Sequence, residues 1–180
     1  MIFLTTYDSP LGTLTLATRG SRLAGLWMEG QAHFGSGLLT DGPEGPPVQR
    51  KPEKKIFQET MRWLDRYFAG KAPLPYELRL APEGSNFQTA VWDILCTLPY
   101  GESTTYGELA EKLGLPKTAA QAVGGAVGRN PISIIIPCHR VLGAEGKLIG
   151  YAGGLDRKRF LLDLEGISYH IPRSTPPKDS

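Results

Sequence analysis

The sequence predicts an α/β (α+β) protein with a strand-rich N-terminal half and a mostly helical C-terminal half. Three strand-like runs, rich in β-branched and apolar residues, occupy the first 28 residues. In the second half, helix-start signals of the Ser-x-x-Gln and Thr-x-x-Glu type precede apolar residues at helical spacing. A proline-rich connector, Lys71 to Gly84, joins the halves, and we place the domain boundary there.

The composition is that of an ordinary globular protein. The 180 residues are 41% hydrophobic and 21% charged, with a formal net charge of +2, too small to indicate a nucleic-acid or membrane protein by itself. No apolar run reaches the roughly 20 residues of a spanning helix, and the N-terminus lacks a signal-peptide pattern. Two cysteines, Cys96 and Cys138, cannot form a disulfide framework. We therefore expect a cytoplasmic protein with reduced thiols.

The N-terminal domain, residues 1–80, is predicted to hold a small antiparallel sheet and one helix. Strands are predicted over Phe3 to Tyr7, Thr13 to Thr18 and Leu23 to Met28. Glycines and prolines punctuate residues 30–52, which we interpret as a long exposed loop. A helix ending at Gly70 follows, because apolar residues then recur at helical spacing: Ile56, Thr60, Trp63, Leu64, Tyr67 and Phe68.

The C-terminal domain, residues 84–170, is predicted to contain a helix-turn-helix. A first helix starts at Ser85, with an apolar face that includes Phe87 and Val91. Two further helices, residues 106–113 and 117–127, flank the tight turn Gly114-Leu115-Pro116, which is the helix-turn-helix pattern. A strand over 132–136, a last helix over 155–165 and a flexible tail over 171–180 complete the prediction.

The second helix of this pair has an unusually thin face. Ala119, Ala122, Val123, Ala126 and Val127 form its predicted buried stripe. Three glycines on the other face cost on the order of 1 kcal/mol each relative to alanine, so something should offset that cost. Two explanations remain open: tight packing against another helix, or close approach to a narrow DNA minor groove. The thin face comprises Lys117, Ala120, Gln121, Gly124, Gly125 and Gly128.

Charge around this helix favours DNA. Eight basic residues and only two acidic residues lie between Lys112 and Arg159, whereas the rest of the chain is net acidic. Concentrated positive charge beside a helix-turn-helix is what phosphate neutralisation requires. A scattered, solvated basic surface is the alternative. The eight basic residues are Lys112, Lys117, Arg129, Arg140, Lys147, Arg157, Lys158 and Arg159.

Cys138 is the candidate nucleophile. It follows a buried apolar run and stands beside His139, an imidazole that can increase the reactive thiolate population. Neighbouring side chains on extended backbone diverge, so a direct contact between them is not required by the sequence. Taken alone, such a cysteine is more often a packed hydrophobic residue, and we interpret Cys96 in that way.

The run from Asn130 to Val141, NPISIIIPCHRV, resembles the active-site signature of the O6-alkylguanine-DNA alkyltransferases, the methylated-DNA–protein-cysteine methyltransferases. The resemblance is close over residues 87–166 and only general before them. It implies a ribonuclease-H-like N-terminal domain and a winged-helix-like C-terminal domain. Further matches occur in the same order at Pro99-Tyr100-Gly101, Thr105-Tyr106, Ala122-Val123-Gly124, Gly150 to Leu155, Leu161-Leu162 and Glu165-Gly166.

The resemblance implies direct-reversal DNA repair without a cofactor or a metal. Cys138 would take the alkyl group from O6 of guanine irreversibly, as a thioether, so that each molecule acts once. O4-alkylthymine is a further substrate by resemblance only. The partner would be double-stranded DNA, contacted in its minor groove by the second helix of the helix-turn-helix, and the protein would be a monomer.

The resemblance also assigns roles to individual residues. His139 would deprotonate Cys138 through a water, and Glu165 would orient His139. Tyr106 would extrude and hydrogen-bond the target base, and Asn130 would brace the active-site turn. The substrate contacts would be Tyr106, Val141, Tyr151, Ala152 and Ser133. The DNA contacts would be Tyr106, Lys117, Thr118, Ala120, Gln121, Gly124, Gly125, Gly128, Arg129 and Arg140.

Two departures from the family pattern stand out. Gln121 occupies the position of an arginine that enters the duplex in most members, unless the register is off by one residue. No cysteine precedes Cys96, so the N-terminal zinc of some relatives is not expected, and His33 is interpreted as a solvated side chain.

Three rival classes of protein remain: an alkyltransferase-like protein that only binds lesions, a helix-turn-helix regulator, and a cysteine hydrolase that turns over.

Overall fold

The N-terminal part forms a four-stranded sheet. The structure, a computed structural model, describes residues 1–39 and 48–172. Strands β1 (Ile2–Ser9), β2 (Gly12–Arg19) and β3 (Arg22–Met28) pair antiparallel in sequence order. A short β4 (Val48–Arg50) joins β1 in parallel, giving the order β3-β2-β1-β4. The three predicted strands are confirmed.

Strand β4 corrects part of the predicted loop over residues 30–52. All three of its residues are exposed, so it lacks the alternation of buried and exposed residues that reveals a strand in a sequence. Residues 40–47 of that loop lie outside the described residues.

The predicted helix is confirmed as α1 (Lys55–Phe68), and its apolar face packs toward β3. Its buried residues include Trp63, whose Nε1 donates to the Leu74 carbonyl over 2.8 Å. The helix ends before Gly70, which has a φ of 77° and can adopt that left-handed conformation without a Cβ clash. Tyr67, in the last turn, is completely buried.

The C-terminal part contains the predicted helices. Helix α2 (Asn86–Cys96) starts with a reciprocal cap between Ser85 and Gln88, and α3 (Tyr106–Lys112) starts with the same arrangement of Thr105 and Glu108. Two further helices follow, α4 (Ala120–Gly128) and α5 (Leu155–Glu165).

Helix α4 starts later than predicted. No side chain caps it, and a 3-10 turn over Lys117–Ala119 precedes it. Short strands β5 (Thr104–Thr105) and β6 (Val141–Leu142) pair in parallel beside the helix-turn-helix.

The predicted strand over residues 132–136 is wrong. Ile132 makes a single bridge to Leu26, and the chain then turns: the Ile135 N–H donates to the Ser133 carbonyl and the Ile136 N–H to the Ile132 carbonyl. Ile134 has a φ of 71°, a left-handed conformation that a β-branched residue rarely adopts. The segment is fully buried, so the apolar run correctly predicts burial but not its backbone.

One hydrophobic core connects the two parts. It joins Leu14 and Leu26 of the sheet to Val91, Val123 and Cys138 of the C-terminal part. Two predicted core positions are wrong, because Phe87 and Ala122 are exposed. Among residues 1–39 and 48–172, no helix has the length and apolar character needed to cross a membrane. The predicted flexible tail lies, from residue 173 onward, outside the described residues.

Candidate active site and nucleic-acid interface

A single turn of 3-10 helix, Cys138–Arg140, carries the candidate nucleophile and base. The turn lies between the buried Ile segment and β6, and all three of its side chains are buried. The sequence predicts that Cys138 follows an extended strand. The backbone before Cys138 is not extended, because the preceding segment turns.

Asn130 braces the segment that leads into this turn, as the family resemblance implies. Its Nδ2 donates to the Ile136 carbonyl over 2.8 Å and to the Ile132 carbonyl over 3.3 Å, and its Oδ1 accepts from the Ile132 N–H over 3.0 Å. These bonds satisfy buried backbone groups that no sheet partner reaches. They also hold the left-handed backbone of Ile134 in place.

The Glu165 carboxylate receives four donors from different parts of the chain. Its Oε2 accepts from His139 Nε2 and, over 2.6 Å, from the Tyr67 hydroxyl. Its Oε1 accepts from Arg140 Nε over 2.7 Å and from the Gly101 N–H over 3.0 Å. The side chain of Glu165 is fully buried, so these bonds replace the water that a free carboxylate would have.

The donors outweigh burial in setting the charge of Glu165. Burial alone would raise the pKa of this carboxyl, but the bond to His139, the charge that His139 carries in acid, the charge of Arg140 and the Tyr67 hydroxyl lower its pKa to about 2. Glu165 is therefore an anion at neutral pH. Burial lowers the pKa of His139 despite the neighbouring carboxylate, so the resting imidazole is neutral.

The neutral imidazole of His139 has one nitrogen available to accept a proton. Nε2 carries its hydrogen toward Glu165, because an ionised carboxylate can only accept. Nδ1 is buried and has no hydrogen-bond partner among the described residues. The ring is therefore oriented as a base whose accepting atom is Nδ1.

Cys138 lies on the wall of a small cavity of about 190 Å³. Its neighbours on that wall include Tyr106, Tyr151 and Ala152. Burial raises the pKa of the Cys138 thiol, although Asn130 and the Lys158 ammonium oppose this effect. The resting nucleophile is therefore a thiol, which must lose its proton to react.

Residues from the N-terminal part also reach this cavity. Ala32 and His33 line it, and the Ala32 N–H donates to the Ala152 carbonyl over 2.9 Å. His33 is exposed to solvent, as predicted, but it also lies at the rim of the cavity that holds Cys138. No sequence signal indicates that His33 lies at this rim, since its position there depends on how the two parts pack.

Ser133 does not line the cavity, which corrects its assignment as a substrate contact. Its N–H bonds to the Leu26 carbonyl over 3.0 Å, and its hydroxyl faces Gln31 Oε1 at 3.4 Å. The residue therefore lies on the side of the turn that packs against β3. Val141 is completely buried, and its carbonyl accepts from Lys158.

Lys158 is fully buried, although the charge pattern of the sequence places it only in a basic surface. Its Nζ donates to the carbonyls of Val141, Ile149 and Gly150 over 2.6, 2.9 and 2.8 Å. Three bonds use all three hydrogens of an ammonium group. Burial nevertheless lowers the pKa of Lys158 to about 8. A sequence signal existed, because Lys158 shares the buried stripe of α5 with Leu161 and Glu165.

A groove of about 780 Å³ lies beside the cavity, between α4 and the loop after β6. Tyr106, Gly124 and Gly150 border both spaces. Burial raises the pKa of Tyr106 to about 12, so its hydroxyl is a neutral donor; it now donates to the Ile149 carbonyl over 3.4 Å.

Most of the residues predicted to contact DNA lie on the exposed face of α4 or in the residues that flank this helix. Nothing in the described part of the chain lies within 4 Å of a Cβ built on Gly125 or Gly128, so packing inside the protein does not explain these glycines. At Gly124 the neighbour is the Tyr106 ring at 3.6 Å. Lys117, Thr118, Gln121, Gly125 and Arg129 are exposed, and Ala120, Gly124 and Gly128 are half-buried.

Arg140 corrects the predicted set of DNA contacts. Only 3% of the residue is exposed, and its NH1 group donates to the Leu98 carbonyl over 2.7 Å while Nε binds Glu165. Its guanidinium is therefore part of the interior and does not reach a phosphate at the surface.

These observations define a class: an α/β protein whose helix-turn-helix is joined to a buried thiol, a neutral imidazole and an ionised carboxylate. Comparisons with known proteins agree. Residues 86–167 match the family described as 6-O-methylguanine DNA methyltransferase, DNA binding domain, and residues 2–82 match its ribonuclease-like domain. The fold class is confirmed in both halves.

Relatives match over nearly the whole chain. A methylated-DNA–protein-cysteine methyltransferase of Mycobacterium leprae is 48% identical over 165 residues, 92% of this chain and 93% of the relative. One from Mycolicibacterium paratuberculosis is 48% identical over 97% of each chain. The crystal structure of Mycobacterium tuberculosis OGT in complex with DNA superposes with a TM-score of 0.78 at 45% identity, covering 91% of this chain and 92% of that one. The chain belongs to the methylated-DNA–protein-cysteine methyltransferase family, the O6-alkylguanine-DNA alkyltransferases.

Proposed function

We propose that Cys138 is the alkyl acceptor of a direct-reversal DNA repair enzyme, a methylated-DNA–[protein]-cysteine S-methyltransferase. Its substrate is O6-alkylguanine in DNA, with O4-alkylthymine as a second candidate. The observation that carries this proposal is the position of Cys138. Its thiol lies in a cavity that adjoins the groove between α4 and the loop after β6, and the next residue, His139, is hydrogen-bonded to Glu165.

The transfer is a single displacement at the alkyl carbon. The Cys138 proton moves to Nδ1 of His139 through one bridging water, and Glu165 stabilises the imidazolium that forms. The sulfur then forms a bond to the alkyl carbon while the bond from that carbon to O6 breaks. The electron pair of the broken bond stays on the purine, which takes up one proton and becomes guanine.

The product explains why the protein acts once. A thioester could be hydrolysed because its carbonyl accepts water, but an S-alkyl cysteine has no comparable electrophilic carbon. The alkyl group therefore remains on Cys138. This distinguishes the proposed reaction from that of a cysteine hydrolase.

The cavity receives the target base after it leaves the duplex. The neutral hydroxyl of Tyr106 donates to the purine as negative charge develops there. The Ala152 N–H serves O6, the Cys138 carbonyl accepts from the exocyclic amine, and the Tyr151 ring forms a wall of the alkyl pocket.

The DNA is held in its minor groove by the glycine face of α4. Because Gly125 and Gly128 add no side-chain bulk, the helix backbone can approach a groove about 6 Å wide. Few side chains on this face can distinguish base edges, so we expect binding without sequence preference. In this proposal residues 84–170 bind DNA and accept the alkyl group, residues 1–80 support them, and the protein acts as a cytoplasmic monomer.

The alternatives are not favoured. A lesion-binding protein without transfer activity or a helix-turn-helix regulator would need neither the Cys138 thiol nor the oriented His139 and Glu165 behind it.

Transfer is tested with a duplex oligonucleotide that carries one O6-methylguanine. We expect one guanine restored per protein molecule and no further turnover. Repeated turnover, or binding of the lesion without restoration of guanine, would refute the proposal. The Cys138→Ser variant is the control, and it should bind the same DNA without repairing it.

A further inference from the structure

Tyr67 connects the N-terminal part to the proton relay formed by Cys138, His139 and Glu165. It lies in the last turn of α1, is completely buried, and is 98 residues away in sequence from Glu165, whose Oε2 accepts its hydroxyl hydrogen over 2.6 Å. The same hydroxyl oxygen lies 3.3 Å from Nε2 of His139. Neither contact belongs to the Cys138, His139 and Glu165 set predicted from the sequence.

We propose that Tyr67 is a positioning residue for alkyl transfer, which acts through Glu165 to hold His139 in the form that accepts the Cys138 proton. The inference rests on the proposed function of that site.

The geometry allows one arrangement of hydrogens. Glu165 is ionised and has no hydrogen to give, so the Tyr67 hydroxyl is the donor of the 2.6 Å bond. With its single hydrogen used, the Tyr67 oxygen can only accept from Nε2 of His139. Both neighbours of Nε2, the Tyr67 oxygen and Glu165 Oε2, are then acceptors. The hydrogen of the neutral imidazole is therefore fixed on Nε2, and Nδ1 remains free to take the thiol proton.

The aromatic packing of Tyr67 keeps its hydroxyl at this position. Its ring stacks on Trp63 with an interplanar angle of 5°, and it meets Phe68 and Tyr100 edge to face. The charged and titratable groups around the relay are Glu165, Arg140, Tyr151, Lys158 and the Cys138 thiol. Of these, only Glu165 makes a hydrogen bond to Tyr67.

The test is Tyr67→Phe, which keeps the ring and removes the hydroxyl. The matched control is Tyr100→Phe, which removes a neighbouring hydroxyl whose one hydrogen bond within residues 1–39 and 48–172 goes to the Leu164 carbonyl over 3.2 Å. We measure the single-turnover rate of Cys138 alkylation by free O6-benzylguanine and by methylated duplex DNA, from pH 5.5 to pH 9. Loss of one charge-assisted hydrogen bond in the relay should slow both reactions by about tenfold in Tyr67→Phe.

Four further readouts separate positioning from a merely structural role. In Tyr67→Phe the acidic limb of the pH–rate profile should move to higher pH, while DNA affinity and the thermal midpoint match those of the Tyr100→Phe control. The ¹⁵N shifts of the wild-type His139 ring should show hydrogen on Nε2 and none on Nδ1, a measurement that stands even if the variant fails to fold.

The proposal is overturned if Tyr67→Phe reacts at the wild-type rate or faster with an unmoved profile, or if Nδ1 of wild-type His139 carries the hydrogen. A wild-type protein that forms no Cys138 adduct at all would instead refute the proposed function.

Discussion

Arg140 Nε donates to Oε1 of Glu165 over 2.7 Å, while His139, the residue before it, binds the other oxygen of the same carboxylate. One carboxylate at the end of α5 thus holds two consecutive residues of the turn that carries Cys138. The orientation of the base and the anchoring of the turn depend on the same buried charge.

Stability should therefore fall in acid. The folded-state pKa of Glu165 is about 2, below its ordinary value of 4.5, so its contribution is fully present above pH 4.5 and is lost as the pH falls toward 2. That contribution is about 3 kcal/mol. Burial also lowers the pKa of His139 below 6.5, so stability starts to decline as the pH drops below that value.

Urea unfolding of Glu165→Gln across the pH range checks this prediction. The variant should be less stable than wild type by about 3 kcal/mol or more at pH 7, because Arg140 loses its buried partner. The difference should narrow as the pH falls from 4.5 toward 2, because the carboxyl of the unfolded wild type takes up a proton in that range while the folded protein still holds it ionised. Glu102→Gln, at an exposed position, is the control. A gap that stays constant down to pH 2 would contradict the assigned charge.

Lys158→Met should destabilise the protein by about 3 kcal/mol, because the buried Val141 carbonyl and the partly buried carbonyls of Ile149 and Gly150 lose their donor at once. Two of these carbonyls, those of Ile149 and Gly150, belong to the loop beside the Cys138 cavity, so alkylation by O6-benzylguanine should slow as well. Chemical denaturation and single-turnover rates measure the two effects. Lys112→Met, at an exposed lysine of α3, should change neither; a Lys158→Met protein with wild-type stability would show that the carbonyls find other donors.

Gln121→Arg should speed repair of duplex DNA by about tenfold, because it adds one charge-assisted hydrogen bond at the exposed start of α4. The reaction with free O6-benzylguanine should remain unchanged, since that small molecule needs no base extrusion. Rates with both substrates decide the matter. Ala120→Arg tests the alternative register, and equal acceleration of both substrates by Gln121→Arg would refute a role in extrusion.

The fold was largely predictable because its signals are local. The reciprocal caps at Ser85 and Thr105 fix the starts of two helices. The three strands β1 to β3 are runs of β-branched and apolar residues, which is a composition typical of strands. The prediction of a strand over Ile132 to Ile136 is wrong because the composition of these five residues is typical of a strand, whereas hydrogen bonds from the Asn130 side chain hold the segment in a turn.

The site was predictable only where its residues lie in a recognisable motif. Cys138, His139, Glu165 and Asn130 fall in matched segments. The structure joins His139 to Glu165 by a hydrogen bond, and Asn130 donates to the Ile136 carbonyl two residues before Cys138. Tyr67 and Ala32 could not be found in this way, because they reach the site only through the packing of the N-terminal part onto the turn. The charge pattern predicts that Arg140 and Lys158 lie at the surface. Both side chains instead bind carbonyls inside the protein, those of Leu98 and Val141.

The most direct test of the central claim is the intact mass of the protein after incubation with excess O6-benzylguanine, followed by peptide mapping. We expect one benzyl group per molecule, located on Cys138, with one equivalent of guanine released and no further reaction. An unmodified protein, an adduct on Cys96, or continued release of guanine would contradict the role of Cys138 as a single-use alkyl acceptor.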